Sequence, residues 1–152
     1  MDADRHVAAL DRILELVVLL NDDMTQSLAR DGLTVSRAQV LWTLRQRGPT
    51  VQRDLADALK VSARTITGLV DGLAATGFVT RETHPTDRRA TLVTFTEHGA
   101  GIVAAMESEQ RKFGQLLFAD MPDRQFNCFV SGLDEILNRL RQAIPDQKGG
   151  RV

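Results

Sequence analysis

The chain is poor in the residues that most often announce chemistry. Cysteine occurs once in 152 residues, at Cys128. A lone thiol closes no disulfide within the chain, which points to a reducing, cytoplasmic setting. Three histidines, His6, His84 and His98, are scattered without ligand spacing, so neither a metal nor any other cofactor is expected. No apolar run approaches the ~20 residues that span a bilayer. The opening MDADRHVAAL is acidic and lacks the basic region and apolar core of a signal peptide. Glycine-rich phosphate loops and nucleophile motifs are absent as well, and with them the usual marks of an enzyme. The sequence carries no internal repeat and no low-complexity tract.

What is present describes a soluble globular chain, 43% hydrophobic and 26% charged, with a formal net charge of −1. That near-neutrality hides a division. Between Arg45 and Leu92 stand eight basic and five acidic residues, whereas the rest carries eleven basic and fifteen acidic ones. A basic centre between acidic ends is compatible with a polyanionic partner.

Apolar spacing of three and four predicts a first helix over Asp4–Arg30, with Leu10, Ile13, Leu14, Val17, Leu20, Met24 and Leu28 on one stripe. Val18 and Leu19 lie off it, so more than one face is expected to be covered. Gly32 stops that helix. Ser36 is the expected cap of a second helix, with Val40, Leu41 and Leu44 inward. The segment TVQRDLADALKVSARTITGLVDGLAATGF then reads as two short helices around a tight turn. Thr50 is expected to cap the first, burying Leu55, Ala58 and Leu59. Ser62 caps the second, whose inward stripe is Ile66, Leu69, Val70 and Leu73, and Gly77 ends it. FVTRET and ATLVTF, rich in Val, Thr and Phe, flank the turn HPTDR as a two-stranded hairpin. Thr96 caps a long helix to about Phe118, and Pro122 opens a last one. That last helix is expected to bury Phe126, Phe129, Val130, Leu133, Ile136, Leu137, Leu140 and Ile144. The fold class is thus mainly α with a small antiparallel β-hairpin. Its expected parts are a first long helix over 1–32, a helix-turn-helix with hairpin over 33–95, two further helices over 96–145 and a flexible tail over 146–152.

On a wheel of about 100° per residue, the face of the second short helix opposite its core stripe shows Arg64, Gly68, Asp71 and Ala75, flanked by Thr65 and Thr67. Its first turn, with Ser62, presents free backbone N–H groups and the positive end of the helix dipole, which favour phosphate. Arginine fits guanine O6 and N7 as a pair, and threonine can donate to a base or pack its methyl on thymine. Gln52 and Arg53, at the start of the preceding helix, are candidate phosphate contacts. Gly68 and Gly72 each disfavour a helix interior by roughly 1 kcal/mol relative to alanine; tolerance, tight packing and close ligand approach all remain open for them.

The order helix, helix, helix-turn-helix, hairpin and two helices resembles the MarR family of winged helix-turn-helix transcriptional regulators. The resemblance rests on LADALKVSARTITGLVDGL for the helix-turn-helix, DRRA for the wing and LVTFTEHG for the exit into the next helix. It is dense over Leu33–Gly99 and extends to most of the chain. It implies a homodimer joined by the first and last two helices, through residues such as Leu10, Ile13, Val17, Phe126, Leu133, Ile136 and Leu140. It also implies a double-stranded DNA operator, pseudo-palindromic, as partner. Arg88 would enter the minor groove, with Asp87 bracing the wing and Arg89 bracing it or touching phosphate, and His84 is a further wing contact. Repression released by a small aromatic effector is implied too, with Trp42 either core or beside the effector. The sequence departs from the family where many members carry a basic residue in place of Gly68, and often of Gly72. The peroxide-sensing branch has a reactive cysteine in its first helix, where this chain has none; Cys128 is expected to be a small buried hydrophobe. A winged-helix protein-interaction module without specific DNA binding is the competing reading, supported by the near-neutral charge and the two helix glycines.

Overall fold

A long amphipathic opening with no interior glycine or proline folds as one helix. In the computed structural model, which describes residues 2–144, α1 runs over Asp2–Arg30. Gly32 ends it at φ 73°, and the Leu33 N–H donates to the Leu28 carbonyl at 2.9 Å. α2 follows over Val35–Arg47. Its cap is Thr34, whose hydroxyl accepts the Arg37 N–H, and not the expected Ser36, which lies one residue inside the helix. Both side chains can cap, but only Thr34 has extended backbone.

The next difference is an extra strand. Thr50–Val51 form β1, which pairs antiparallel with β3 (Thr91–Phe95), so the sheet has three strands in the order β1-β3-β2, with β2 over Val79–Thr83. Thr50 pairs with Val93 and donates its hydroxyl to the Gly48 carbonyl at 2.7 Å. Thr50 therefore does not cap α3 (Gln52–Leu59), which starts after Val51 with no side-chain cap. Lys60 ends α3 in the left-handed region at φ 53°. α4 occupies Ala63–Ala75 and is capped by Ser62, whose Oγ accepts the Thr65 N–H at 3.1 Å.

The core lies where α2, α3, α4 and the sheet meet. Val40, Leu41, Leu44, Leu55, Ile66, Val70, Leu73 and Val93 are fully enclosed. In α3 the expected Leu55 is enclosed together with Ala56, while Ala58 and Leu59 are only half-buried; in α4 Leu69 is half-buried, contrary to expectation. Thr96 closes the domain: its N–H donates to the Phe78 carbonyl and its hydroxyl to the Gly77 carbonyl, while its oxygen accepts the Gly99 N–H. Gly99, early in α5 (Glu97–Phe118), is pressed onto the Phe78 carbonyl so closely that a Cβ would fall inside its van der Waals envelope.

The chain divides into two compact units, 1–103 and 104–152, with the break inside α5. In the second unit, Phe118 packs edge-on to Phe126 and tilted to Phe129 near the start of α6 (Asp123–Ala143). Within this single chain α6 buries no residue at all. Phe126, Phe129, Val130, Ile136, Leu137, Leu140 and Ile144 are exposed and Leu133 is half-buried, contrary to the expectation that they would be covered. Cys128, also expected to be buried, is exposed for the same reason. α1 likewise buries only Leu28; Leu10, Val17, Val18 and Leu19 are exposed and Ile13 is half-buried. The amphipathic pattern is present in both helices, but among the described residues most of their apolar positions are left exposed or half-buried. The expected tail, 146–152, lies outside the described residues.

Candidate nucleic-acid interface

The exposed surface of the first unit is built around α4. With Ile66, Val70 and Leu73 enclosed, helical geometry turns Arg64, Thr65, Thr67, Gly68, Asp71 and Ala75 to solvent, and all six are exposed. Ser62 spends its hydroxyl locally, accepting from the Thr65 N–H and lying 2.9 Å from the Thr65 hydroxyl. Among the described residues, the guanidinium groups of Arg53, Arg64, Arg88 and Arg89 make no hydrogen bond or ion pair. They are exposed cations with their donors unspent.

One edge of α4 is tied to its neighbours by a chain of bonds. Gln52 Nε2 donates to Thr67 Oγ1 at 2.8 Å, and Thr67 donates in turn to the Ala63 carbonyl. Arg81, from β2, donates to Gln52 Oε1 at 3.3 Å and to Asp71 Oδ1 at 2.6 Å. Gln52 and Thr67, expected as DNA contacts, are thus bonded to each other and hold α3, α4 and β2 in register. Arg81 does not figure among the sequence-derived candidates. No spacing in the sequence marks it, because the carboxylate it pairs with stands ten residues away on α4. The Arg81–Asp71 pair also cancels the one negative charge on that face.

The hairpin tip is shaped by two side chains. His84 Nδ1 lies 3.2 Å from the backbone N–H groups of Thr86 and Asp87 and accepts from them. The Asp87 carboxylate accepts the Arg89 N–H at 3.0 Å, a local turn in which Arg88 and Arg89 are both exposed. His84, half-buried, therefore shapes the turn with the ring nitrogen that faces the backbone. Trp42 is half-buried on α2. No group of three or more His, Cys, Asp or Glu could hold a metal ion among the described residues, and no helix there is long and apolar enough to cross a membrane.

A helix-turn-helix whose second helix is capped, followed by an arginine-tipped hairpin closed by a third strand, is a winged helix. The sequence profile of the MarR family matches residues 33–91, and the HTH-type transcriptional repressor YetL of Bacillus subtilis is 30% identical over 127 residues, covering 80% of this chain and 74% of that protein. The chain belongs to the MarR family. The HTH-type transcriptional repressor NicR of Pseudomonas putida is 37% identical over 84 residues, 55% of this chain. The chain spans little more than half the length of NicR and of another curated regulator, 53% and 58%. Among solved structures, a mutant of MepR from S. aureus bound to an oligodeoxyribonucleotide superposes with a TM-score of 0.64 at 21% identity, covering 89% of this chain and 98% of that one. At that identity the likeness is one of fold.

Against the MarR family pattern, the two α4 glycines part company. A Cβ at Gly68 would meet nothing within 4 Å, so the protein itself leaves that position open. A Cβ at Gly72 would meet the guanidinium of Arg37, with Nη2 at 2.5 Å, Cζ at 2.8 Å and Nε at 3.0 Å. Tolerance describes Gly68; close packing describes Gly72.

Proposed function

We propose that this MarR family regulator binds double-stranded DNA as a homodimer, each chain laying the start of α4 in a major groove and the tip of its wing in the adjacent minor groove. The observation that carries this reading is the grouping, on one domain, of Arg64 at the exposed N-terminal turn of α4 with Arg88 and Arg89 at the wing tip, their guanidinium groups unpaired among the described residues. Arg64 and Thr65 would read base edges, with Ser62 and Thr67 beside them. Arg53 and Arg89 would meet phosphate. Arg88 would enter the minor groove, whose negative potential attracts arginine. Gln52, His84 and Asp87 would act through the parts they hold in place.

Dimerisation is supported by the exposed apolar residues of α1 and α6, an extent of bare surface that monomeric proteins rarely show. Residues 1–32 and 96–145 would form the joint, and 33–95 the reading head. Two reading heads then require two half-sites about one helical turn apart, roughly 34 Å, hence a pseudo-palindromic operator. The repressor names of YetL and NicR support repression here. An effector, for which a small aromatic molecule is the expected chemistry, would release DNA only by preferring a dimer whose heads are wrongly spaced. The relatives' names are those of regulators, so a catalytic role has no support.

Titration with duplex DNA over a range of salt concentrations tests the reading. A regulator gives a log–log slope of about −0.9 per neutralised phosphate, with specific sites standing well above random sequence. No binding at low salt would leave the winged-helix interaction module instead.

A further inference from the structure

The exposed stripe of α4 has two edges, and they are furnished differently. Taking about 100° per residue, Asp71 and Thr67 border one side of the Arg64–Gly68–Ala75 stripe and Gly72 borders the other. On the first edge lies Arg81, its charge matched by Asp71. On the second lies Arg37, reaching from the first turn of α2 to rest on α4 at Gly72. Its backbone N–H is spent on the Thr34 hydroxyl, but its guanidinium has no hydrogen bond or ion pair among the described residues. A half-buried cation resting on bare helix backbone, without a carboxylate beside it, is poorly accounted for by the chain alone.

An α-helix with its side chains is about 10–12 Å across, and the major groove is about 12 Å wide. A helix seated there therefore turns its two edges to the two sugar–phosphate walls. We propose that Arg37 is a DNA-backbone contact of this protein, held against the edge of α4 by the absence of a side chain at Gly72, and facing a phosphate of one groove wall. It supplies, from α2, a positive charge on the flank of the reading helix. A Cβ at that position would push on the guanidinium that rests there. The inference depends on the DNA-binding reading above, but not on which bases Arg64 reads, since phosphate carries no sequence information.

The test uses the full-length protein and duplexes enriched on it from a random-sequence pool. Arg37→Ala, Arg37→Lys, Gly72→Ala and the Arg37→Ala/Gly72→Ala double variant are titrated against salt, with melting curves recorded for each. Arg37→Ala should weaken binding about tenfold, flatten the salt slope by about 0.9 per bound chain and leave base preference unchanged. Arg37→Lys, which keeps the charge, should recover most of the slope. Gly72→Ala, which displaces the end of a flexible side chain and keeps its charge, should weaken binding less than Arg37→Ala, and the double variant should be no weaker than Arg37→Ala, because the methyl acts only through that guanidinium. A full salt slope in Arg37→Ala overturns the proposal even if affinity or melting temperature falls, for it would mark Arg37 as a packing residue. Additive losses in the double variant overturn the role given to Gly72. If the wild-type protein enriches and binds no duplex, the DNA-binding reading itself fails, and this proposal with it.

Discussion

α4 and α6 are both amphipathic, and only one of them is finished. In α4 three of the four residues of the apolar stripe find full cover: Ile66 is 1% exposed and Val70 and Leu73 not at all, with Leu69 half-buried. In α6 the same kind of stripe leaves Phe126 at 36% and Leu140 at 45%. The difference lies in the neighbours. α4 is enclosed by α2, α3 and the sheet within ~60 residues of chain, whereas α6 follows a break at 103–104 and has no such shell within its unit. An apolar stripe tells which face a helix will bury; it does not tell whose atoms will cover it.

The contrast can be broken most decisively from the α6 side. Leu133→Asp or Ile136→Asp should weaken self-association at least about 100-fold, near 3 kcal/mol, because each would place an unpaired charge in the proposed joint. Light scattering should then report the mass of one chain, while circular dichroism keeps the helical signal of the winged domain; an intact dimer would remove these residues from the interface. In the finished unit the largest effect is steric. Gly99→Ala should destabilise by about 1–3 kcal/mol, since a methyl there meets the Phe78 backbone, which cannot yield as a side chain would. Gly101→Ala, two residues on in the same helix and with nothing within 4 Å of its Cβ, should instead stabilise by about 1 kcal/mol. Thermal melts of the two variants should shift in opposite directions.

Smaller effects sharpen the picture of the reading head. Arg64→Ala should weaken operator binding by about 1–3 kcal/mol and relax preference at one base position, as competition with singly substituted duplexes would report. Arg88→Ala should lower affinity with the dimer intact, and unchanged affinity would return the wing to solvent. Asp71→Ala should cost under about 1 kcal/mol of stability, because the Arg81 pair it breaks is largely exposed and screened.

The helices, the hairpin and their order were legible in the sequence because each has a period or a cap that local chemistry sets. The core stripe of α4 is an instance: Ile66, Val70 and Leu73 sit at helical spacing behind a serine cap, and all three are enclosed. β1 was not legible, since two residues carry no period and Thr50 before a helix looks like a cap; only its pairing with Val93 decides otherwise. The same holds for Thr34 over Ser36, where like hydroxyls stand two residues apart and backbone conformation chooses. Within the candidate interface, unpaired arginines could be picked out by type and position. The roles of Gln52, Thr67 and Arg81 could not, because their bonds join positions up to 29 residues apart. Gly72 was ambiguous for a similar reason: the atom that needs its emptiness belongs to α2.

β1 has a practical corollary. Two residues, Thr50 and Val51, stitch the entrance of α3 to the inner strand of the wing, so the hairpin is anchored from outside its own sequence. Anyone grafting the wing of another regulator onto this scaffold would have to transplant that distant dipeptide too, or the borrowed finger would arrive without its hinge-pin.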